Sequence, residues 1–396
     1  MELQPHLPYH MPRTGRTEMR DYLIAEISSS AVRHNLQLFR RHISEGTKLC
    51  AVVKADCYGH GMAVLWEVIA GEADWLAVAG PGEAIQLRDL GYKGEILMFF
   101  SPCIYPPGPG GHEAVAELIA RAVTLTLVSA AEAELVGQAA AKGGMKARIH
   151  VKIDTGMGRS GVPHTESPSL IRQIRRTEGL QLTGLYTHLA TADEADKSDA
   201  LRQIDNFRQA AKACGGVRGE GLMLHAANSA GMIDLSESHF DMVRTGISVY
   251  GYQPSDQMHT HLPLRPALRL TGRLMQTKDL PAGSRVGYGL TYTFDRPGRV
   301  GLVSVGYADG YVRCLGNKTS VRVGGRDAPV RGRVSMDQII VDLTDVPDGR
   351  VGDEVEIISP DPASRHSVEN LARLAGTIPH EITCGLGGRI RRVLAE

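Results

Sequence analysis

At 396 residues, with 42 % apolar and 22 % charged side chains, the chain exceeds one ordinary core and predicts two domains, one a large barrel. Its 44 basic and 44 acidic side chains cancel, leaving no net field to draw in nucleic acid or an anionic membrane. Cys50, Cys57, Cys103, Cys214, Cys314 and Cys384 are scattered and form neither a C-x-x-C pair nor a cluster with histidine. That pattern argues against a metal site and a disulfide framework and suits a reducing cytoplasm, and no apolar run reaches transmembrane length.

Residues 1–20 carry Pro5, His6, Pro8, His10, Arg13 and Arg16 without an apolar core, and read as a polar extension rather than a signal peptide. Tyr22–Ile27 reads as a strand, and Ser28-Ser29-Ser30 offers N-caps for a helix from Ala31 to about His42. The next apolar run, Leu49–Val53, ends in Lys54 and a turn holding Tyr58, Gly59 and Gly61. A lysine closing a buried strand is desolvated, which disfavours its charge and frees it as a nucleophile for an aldehyde cofactor. The plainer alternative is a lysine that snorkels from a strand end.

From there strands and helices alternate. Strands are predicted at Trp75–Val78, Glu95–Phe99, Thr124–Val128, Ala147–Ile153, Leu180–Tyr186, Met223–Ala226 and Gly246–Tyr250. Helices are predicted near Met62–Ile69, Ala130–Ala141, Thr165–Thr177, Lys197–Ala213 and Ala230–Leu235, while Pro106–Gly111 reads as a loop. With the Lys54 strand this makes eight βα repeats in roughly 210 residues, the size of a (β/α)8 TIM-type barrel. A doubly wound sheet is the alternative, but no G-x-G-x-x-G follows the first strand. Beyond a polar linker at 252–265, strands at Leu268–Met275, Arg299–Val305, Thr319–Val323, Gln338–Asp342 and Glu354–Ile358 surround one helix, Ser367–Leu374. The expected organisation is a barrel over 21–262 and a predominantly β domain over 263–396.

The polar residues that could carry chemistry fall where barrel strands end, as catalytic groups of such barrels do. Lys54 and Tyr58 follow the first strand, and Lys152, Asp154 and Arg159 the fifth. Thr187-His188 follows the sixth, Asn228-Ser229 the seventh, and Arg244 and Gly246-Ile247 bracket the eighth. Ser229 and the amides of Gly246 and Ile247 suit a phosphate. A guanidinium at Arg244, facing a ring nitrogen, would leave it unprotonated, and His188 is placed to orient that arginine or a tyrosine. Glycine-flanked turns in the β domain expose Tyr288 and Tyr307, and Arg331–Gln338, containing Met336, enters the next strand.

Together these motifs resemble the alanine racemase family over roughly residues 20–394. The resemblance implies pyridoxal 5'-phosphate as cofactor, with Lys54 as its Schiff-base lysine and one catalytic base, and Tyr288 as the second base. It implies phosphate or ring contacts from Tyr58, His188, Asn228, Ser229, Arg244, Gly246, Ile247 and His380, and substrate contacts from Arg159, Tyr307 and Met336. It further implies a carbamylated Lys152 and a cytoplasmic homodimer with shared active sites, acting on a small amino acid and making D-alanine for peptidoglycan. His380 departs from the family, which usually has tyrosine there, so a broader racemase acting on serine is an alternative. Two other readings count less. A decarboxylase of the same architecture uses an acidic partner for the ring nitrogen, and a small cofactor-carrier barrel lacks a β domain.

Overall fold

The computed structural model describes residues 22–104, 109–216 and 221–396. The runs of β-branched and aliphatic residues form strands buried on both faces, as a parallel sheet wrapped by helices requires. After β1 (Ile24–Ser28) come β2 (Lys48–Val52), β3 (Trp75–Val78), β4 (Glu95–Met98), β5 (Val123–Leu127), β6 (Ala147–Asp154) and a short β7 (Val162–Pro163). They continue as β8 (Leu180–Tyr186), β9 (Met223–His225) and β10 (Met242–Thr245). The parallel order is β10-β2-β3-β4-β5-β6-β8-β9, with β7 beside β6. Two backbone hydrogen bonds bring β9 and β10 together, from Asp241 N–H to Leu224 C=O (2.9 Å) and from Arg244 N–H to Ala227 C=O (3.0 Å). The barrel is thereby nearly closed.

The eighth barrel strand differs from expectation. It is Met242–Thr245, and the apolar run after it, Ile247–Tyr250, is a 3-10 turn. Gly246 turns the chain, Val249 N–H closes onto Gly246 C=O, and Tyr250 Oη donates to Val52 C=O at 3.0 Å. Burial, not strand pairing, is what that run's apolar character records, and Arg244 consequently lies inside the strand. Pro106–Gly108 of the expected loop lie outside the described residues, whereas residues 109–111 open the helix Pro109–Ala120.

The second sheet comprises β11 (Leu268–Leu280), β14 (Gly298–Val303), β15 (Ser320–Val323), β16 (Arg326–Arg331), β17 (Ile339–Asp342), β18 (Glu354–Ile358) and β19 (Arg391–Ala395). Between β11 and β14 lies the small hairpin β12 (Arg285–Val286) and β13 (Tyr292–Thr293). β1 also joins this sheet, antiparallel to β11 and parallel to β19. The chain thus starts in the sheet of its C-terminal half and enters the barrel through the helix Ser29–His42, which Ser28 caps. Buried Asn35 on that helix holds the returning linker, accepting from Arg265 N–H at 2.8 Å and donating to Arg265 C=O at 2.9 Å. Helices Val368–Ala375 and Pro379–Cys384 close the domain, and the second of these, like β16 and β19, goes beyond the elements read from the sequence.

Candidate active site

Lys54 follows β2 and opens an unusual turn. Ala55, Asp56, Cys57 and Tyr58 all have positive φ, from 51° to 56°, making one turn of left-handed helix. For L-residues this costs about 1–2 kcal/mol each and persists only where the surroundings over-determine it. Here Cys57 N–H bonds Val53 C=O (3.0 Å) and Gly59 N–H bonds Ala55 C=O (2.9 Å). Glu83 accepts from Ala55 N–H (2.7 Å) through one oxygen and from Ala79 N–H (2.7 Å) through the other. Burial, then the positive charge of Arg159, lowers the basicity of the Lys54 amine, which lies 5.9 Å from the Tyr58 ring and 6.0 Å from that of Phe99.

Arg244 projects from β10 into a buried polar column. Its Nη1 donates to His225 Nδ1 (2.9 Å) and Nη2 to the carbonyls of Thr187 (2.7 Å) and Ala226 (3.1 Å). His188 Nδ1 is a more distant neighbour of Nη2 at 3.4 Å. Nε is the guanidinium nitrogen left without a protein acceptor among the described residues. Burial lowers the Arg244 pKa to about 10, so the group stays cationic at neutral pH. His225 Nε2 continues to His150 Nδ1 at 2.9 Å, and Tyr186 stacks on His225 at 4.8 Å while bonding Thr126 Oγ1 at 2.9 Å. Burial, followed by the charge of Arg244, holds His188 and His225 well below the usual imidazole pKa.

A polar cradle faces the Lys54 turn. Ser229 starts the short helix Ser229–Asp234, which Asn228 caps by accepting from Gly231 N–H at 2.9 Å. Ser229 Oγ accepts from Gly246 N–H at 2.9 Å, and Ile247 opens the 3-10 turn, whose first N–H groups have no preceding helical acceptor. A Cβ on Gly246 would fall 2.3 Å from Tyr58 Oη, so only glycine lets that hydroxyl reach the cradle. The His380 ring lies 5.9 Å from that of Tyr58, and its buried Nδ1 has no hydrogen-bond partner among the described residues. Hydroxyls, amides and an unpartnered imidazole nitrogen suit an anion such as a phosphate. Beside them, an amine of lowered basicity and a guanidinium edge without an acceptor suit the aldehyde and ring nitrogen of pyridoxal phosphate. The residues present therefore fit that cofactor.

Lys152 on β6 is buried, and desolvation, then the charges of Arg159 and Arg244, lowers its pKa to about 8. Asp154 orders the following loop by accepting from Gly156 (2.9 Å) and Met157 (3.0 Å) N–H groups, leading the chain to exposed Arg159. Tyr288, Tyr307 and Met336 form no part of this mouth's hydrogen bonding. They are exposed by 69 %, 43 % and 54 % on the β domain. Their turns interlock: Tyr307 N–H bonds Ser335 C=O, Ala308 N–H bonds Met336 C=O (both 3.0 Å), and the Arg333 guanidinium lies against Gly289. The structure thus gathers the barrel candidates and His380 at one mouth, and Tyr288, Tyr307 and Met336 on an exposed surface of the β domain.

The sequence by itself does not single out Glu83, Tyr186, His150 and His225. The inward alternation along β6, β8 and β9 is the only local signal for the last three, and it equally describes packing residues. For Glu83 the signal is Gly80-Pro81-Gly82-Glu83 at a helix start, where its side chain accepts from Gly80 N–H at 3.3 Å.

An eight-stranded parallel barrel with this mouth and an appended β domain defines the class of pyridoxal-phosphate-dependent barrel enzymes. Within that class, the alanine racemase N-terminal domain model matches residues 27–254 and the alanine racemase C-terminal domain model residues 267–394. The chain belongs to the alanine racemase family. It is 38 % identical over 363 residues to the alanine racemase of Syntrophobacter fumaroxidans, covering 91 % of this chain and 94 % of that one. The alanine racemase structure from Clostridium difficile 630 matches with a TM-score of 0.86 at 34 % identity, over 95 % of this chain and 96 % of the other. The Bartonella henselae alanine racemase with covalently bound pyridoxal phosphate matches with a TM-score of 0.81 at 29 % identity, covering 94 % and 99 % of the two chains.

Proposed function

We propose that the protein interconverts L- and D-alanine with pyridoxal 5'-phosphate bound at the barrel mouth. The observation that carries this reading is a half-buried Lys54 amine of lowered basicity, beside an anion cradle and the fixed Arg244 guanidinium. When bound, the cofactor supplies an aldehyde that captures amines and a ring that acidifies the substrate's α-C–H. Tyr58, Ser229, Ile247 and His380 would hold its phosphate, with Gly246 N–H steadying the Ser229 hydroxyl and Asn228 fixing the helix start behind it. Arg244 would donate to the ring nitrogen and keep its own proton, since a guanidinium does not yield one at neutral pH. That limits the ring's pull on electrons and, with it, side reactions of the α-carbon.

Lys54, uncharged more readily than an exposed lysine, takes or returns the α-proton on one face. The partner subunit's Tyr288 is the proposed base on the other face, because Tyr288 is exposed on the β domain, where a second chain can meet it. This requires an isologous homodimer with two shared sites. Arg159 would place the substrate carboxylate, with Lys152, as its carbamate, orienting Arg159; the partner subunit's Tyr307 and the partner subunit's Met336 would bound the substrate. The proposed setting is the cytoplasm, with D-alanine passing to peptidoglycan synthesis.

The test is D-isomer formation from L-alanine, L-serine and L-lysine, followed by chiral chromatography with Lys54→Ala as control. Alanine turnover that is lost in Lys54→Ala supports the reading, and turnover confined to alanine shows that His380 keeps the pocket selective. Comparable serine turnover makes this a broad-specificity racemase. Near wild-type racemisation by Tyr288→Phe in both directions would remove the second base.

A further inference from the structure

We propose that Arg392, in the last strand of the chain, is a positioning residue for Lys54, acting by clamping the left-handed turn that carries it. The inference rests on the reading of Lys54 as the reactive amine. The Arg392 side chain is 12 % exposed. Nη1 donates to Gly387 and Ile390 C=O (both 3.1 Å) and Nη2 to Leu386 C=O (2.9 Å), locking the guanidinium onto its own loop. Nε then reaches across to the barrel and donates to Gly59 C=O at 2.8 Å, 333 positions away in the chain.

Gly59 is the last link of the turn, and its N–H bonds the C=O of Ala55, the residue after Lys54. The same guanidinium lies 3.7 Å from Asp56 Oδ2, while Asp56 Oδ1 accepts from Met62 N–H (2.7 Å) at the start of the next helix. One planar cation therefore touches the turn at two points, Gly59 and Asp56, from a base fixed in the other domain. The fit leaves no slack. A Cβ on Gly59 would fall 1.9 Å from Thr383 O, and one on Gly61 would fall 2.9 Å from Arg392 Cδ.

A clamp is physically required because four successive L-residues at positive φ favour relaxation toward the right-handed region. Glu83 restrains the turn at Ala55 N–H from within the barrel, and Arg392 restrains its far end from the β domain. Releasing the far end lets Ala55–Tyr58 relax and moves the Lys54 amine. A lysine at 392 would supply the charge but not the rigid fork that joins four carbonyls.

Three full-length variants test this: Arg392→Gln, Arg392→Lys and Val355→Ala, the last a core truncation in β18 that controls for lost stability. The first readout is amide hydrogen exchange over residues 55–62 in cofactor-free protein. The second is the rate at which borohydride traps pyridoxal phosphate on Lys54, followed by peptide mass. We expect both Arg392 variants to exchange about tenfold faster across the turn and to be trapped about tenfold more slowly. Val355→Ala should change neither. Should Arg392→Gln fail to fold, Arg392→Lys carries the test. Unchanged exchange in a folded Arg392 variant, or an equal change in Val355→Ala, overturns the clamp. If wild-type protein is not trapped on Lys54, the reading of Lys54 fails, while the exchange result still decides the clamp.

Discussion

Arg244 Nη1 donates to His225 Nδ1 across 2.9 Å of the barrel interior. Because a guanidinium has no acceptor, this contact places the His225 proton on Nε2, which donates onward to His150 Nδ1 at 2.9 Å. The column ends at His150 Nε2, buried and without a hydrogen-bond partner among the described residues. A barrel interior is ordinarily filled with branched apolar residues, so a polar column here fixes something, and what it fixes is the Arg244 guanidinium. His225→Leu should therefore cost about 1.5–3 kcal/mol in urea unfolding, the value of a lost hydrogen bond to a charged group. Its turnover of alanine should fall about tenfold or more as Arg244 shifts. An undiminished turnover would show that Thr187 and Ala226 carbonyls suffice to hold it.

Buried neutral histidines make stability sensitive to acid. Burial lowers His60 to about 4 and His150 to about 3, and holds His188 and His225 well below 6.5. In the unfolded chain each titrates near 6.5, so below that pH the unfolded state binds more protons and stability falls. The contribution is fully present above about pH 6.5. Urea midpoints measured from pH 7 to 4.5 should decline steeply, and a flat profile would refute the buried-neutral assignment.

Lys152 makes the opposite end of the pH scale informative. Its folded pKa of about 8 lies below the ordinary 10.5, so the unfolded chain binds more protons between these values. In carbon-dioxide-free buffer the stability of the wild-type protein relative to Lys152→Met should therefore rise with pH across that window. The same lowered basicity makes the amine a target for carbon dioxide near neutrality. With 13C-bicarbonate, a carbamate carbon signal should appear in wild-type protein and be absent from Lys152→Met.

Gly246→Ala places a methyl group 2.3 Å from Tyr58 Oη and must displace that ring or the turn. Overpacking of this kind costs about 1–3 kcal/mol. The variant should stay folded but bind pyridoxal phosphate about tenfold more weakly, because the hydroxyl leaves the cradle. Titration of cofactor absorbance against protein checks this, with thermal unfolding as the control; unaltered affinity would remove Tyr58 from the cradle.

What the sequence alone determined follows from local pattern. Alternating apolar runs and amphipathic stretches specify a (β/α)8 barrel and then a β domain, because periodicity records which faces are buried. Polar residues at strand ends, Lys54, Lys152, His188 and Ser229 among them, were legible because a strand's end is the point where a buried run must meet chemistry. The same logic misplaced the last barrel strand, since Ile247–Tyr250 is equally apolar as a 3-10 turn. Tertiary structure alone decided the rest. That β1 pairs with β11 and β19, that Glu83 and Arg392 grip one turn from two domains, and that Arg244, His225 and His150 join end to end are contacts between distant segments. Neither propensity nor spacing encodes such partners. The left-handed turn after Lys54 shows why: its residues are ordinary L-amino acids with no local reason for positive φ, and only their surroundings hold them there.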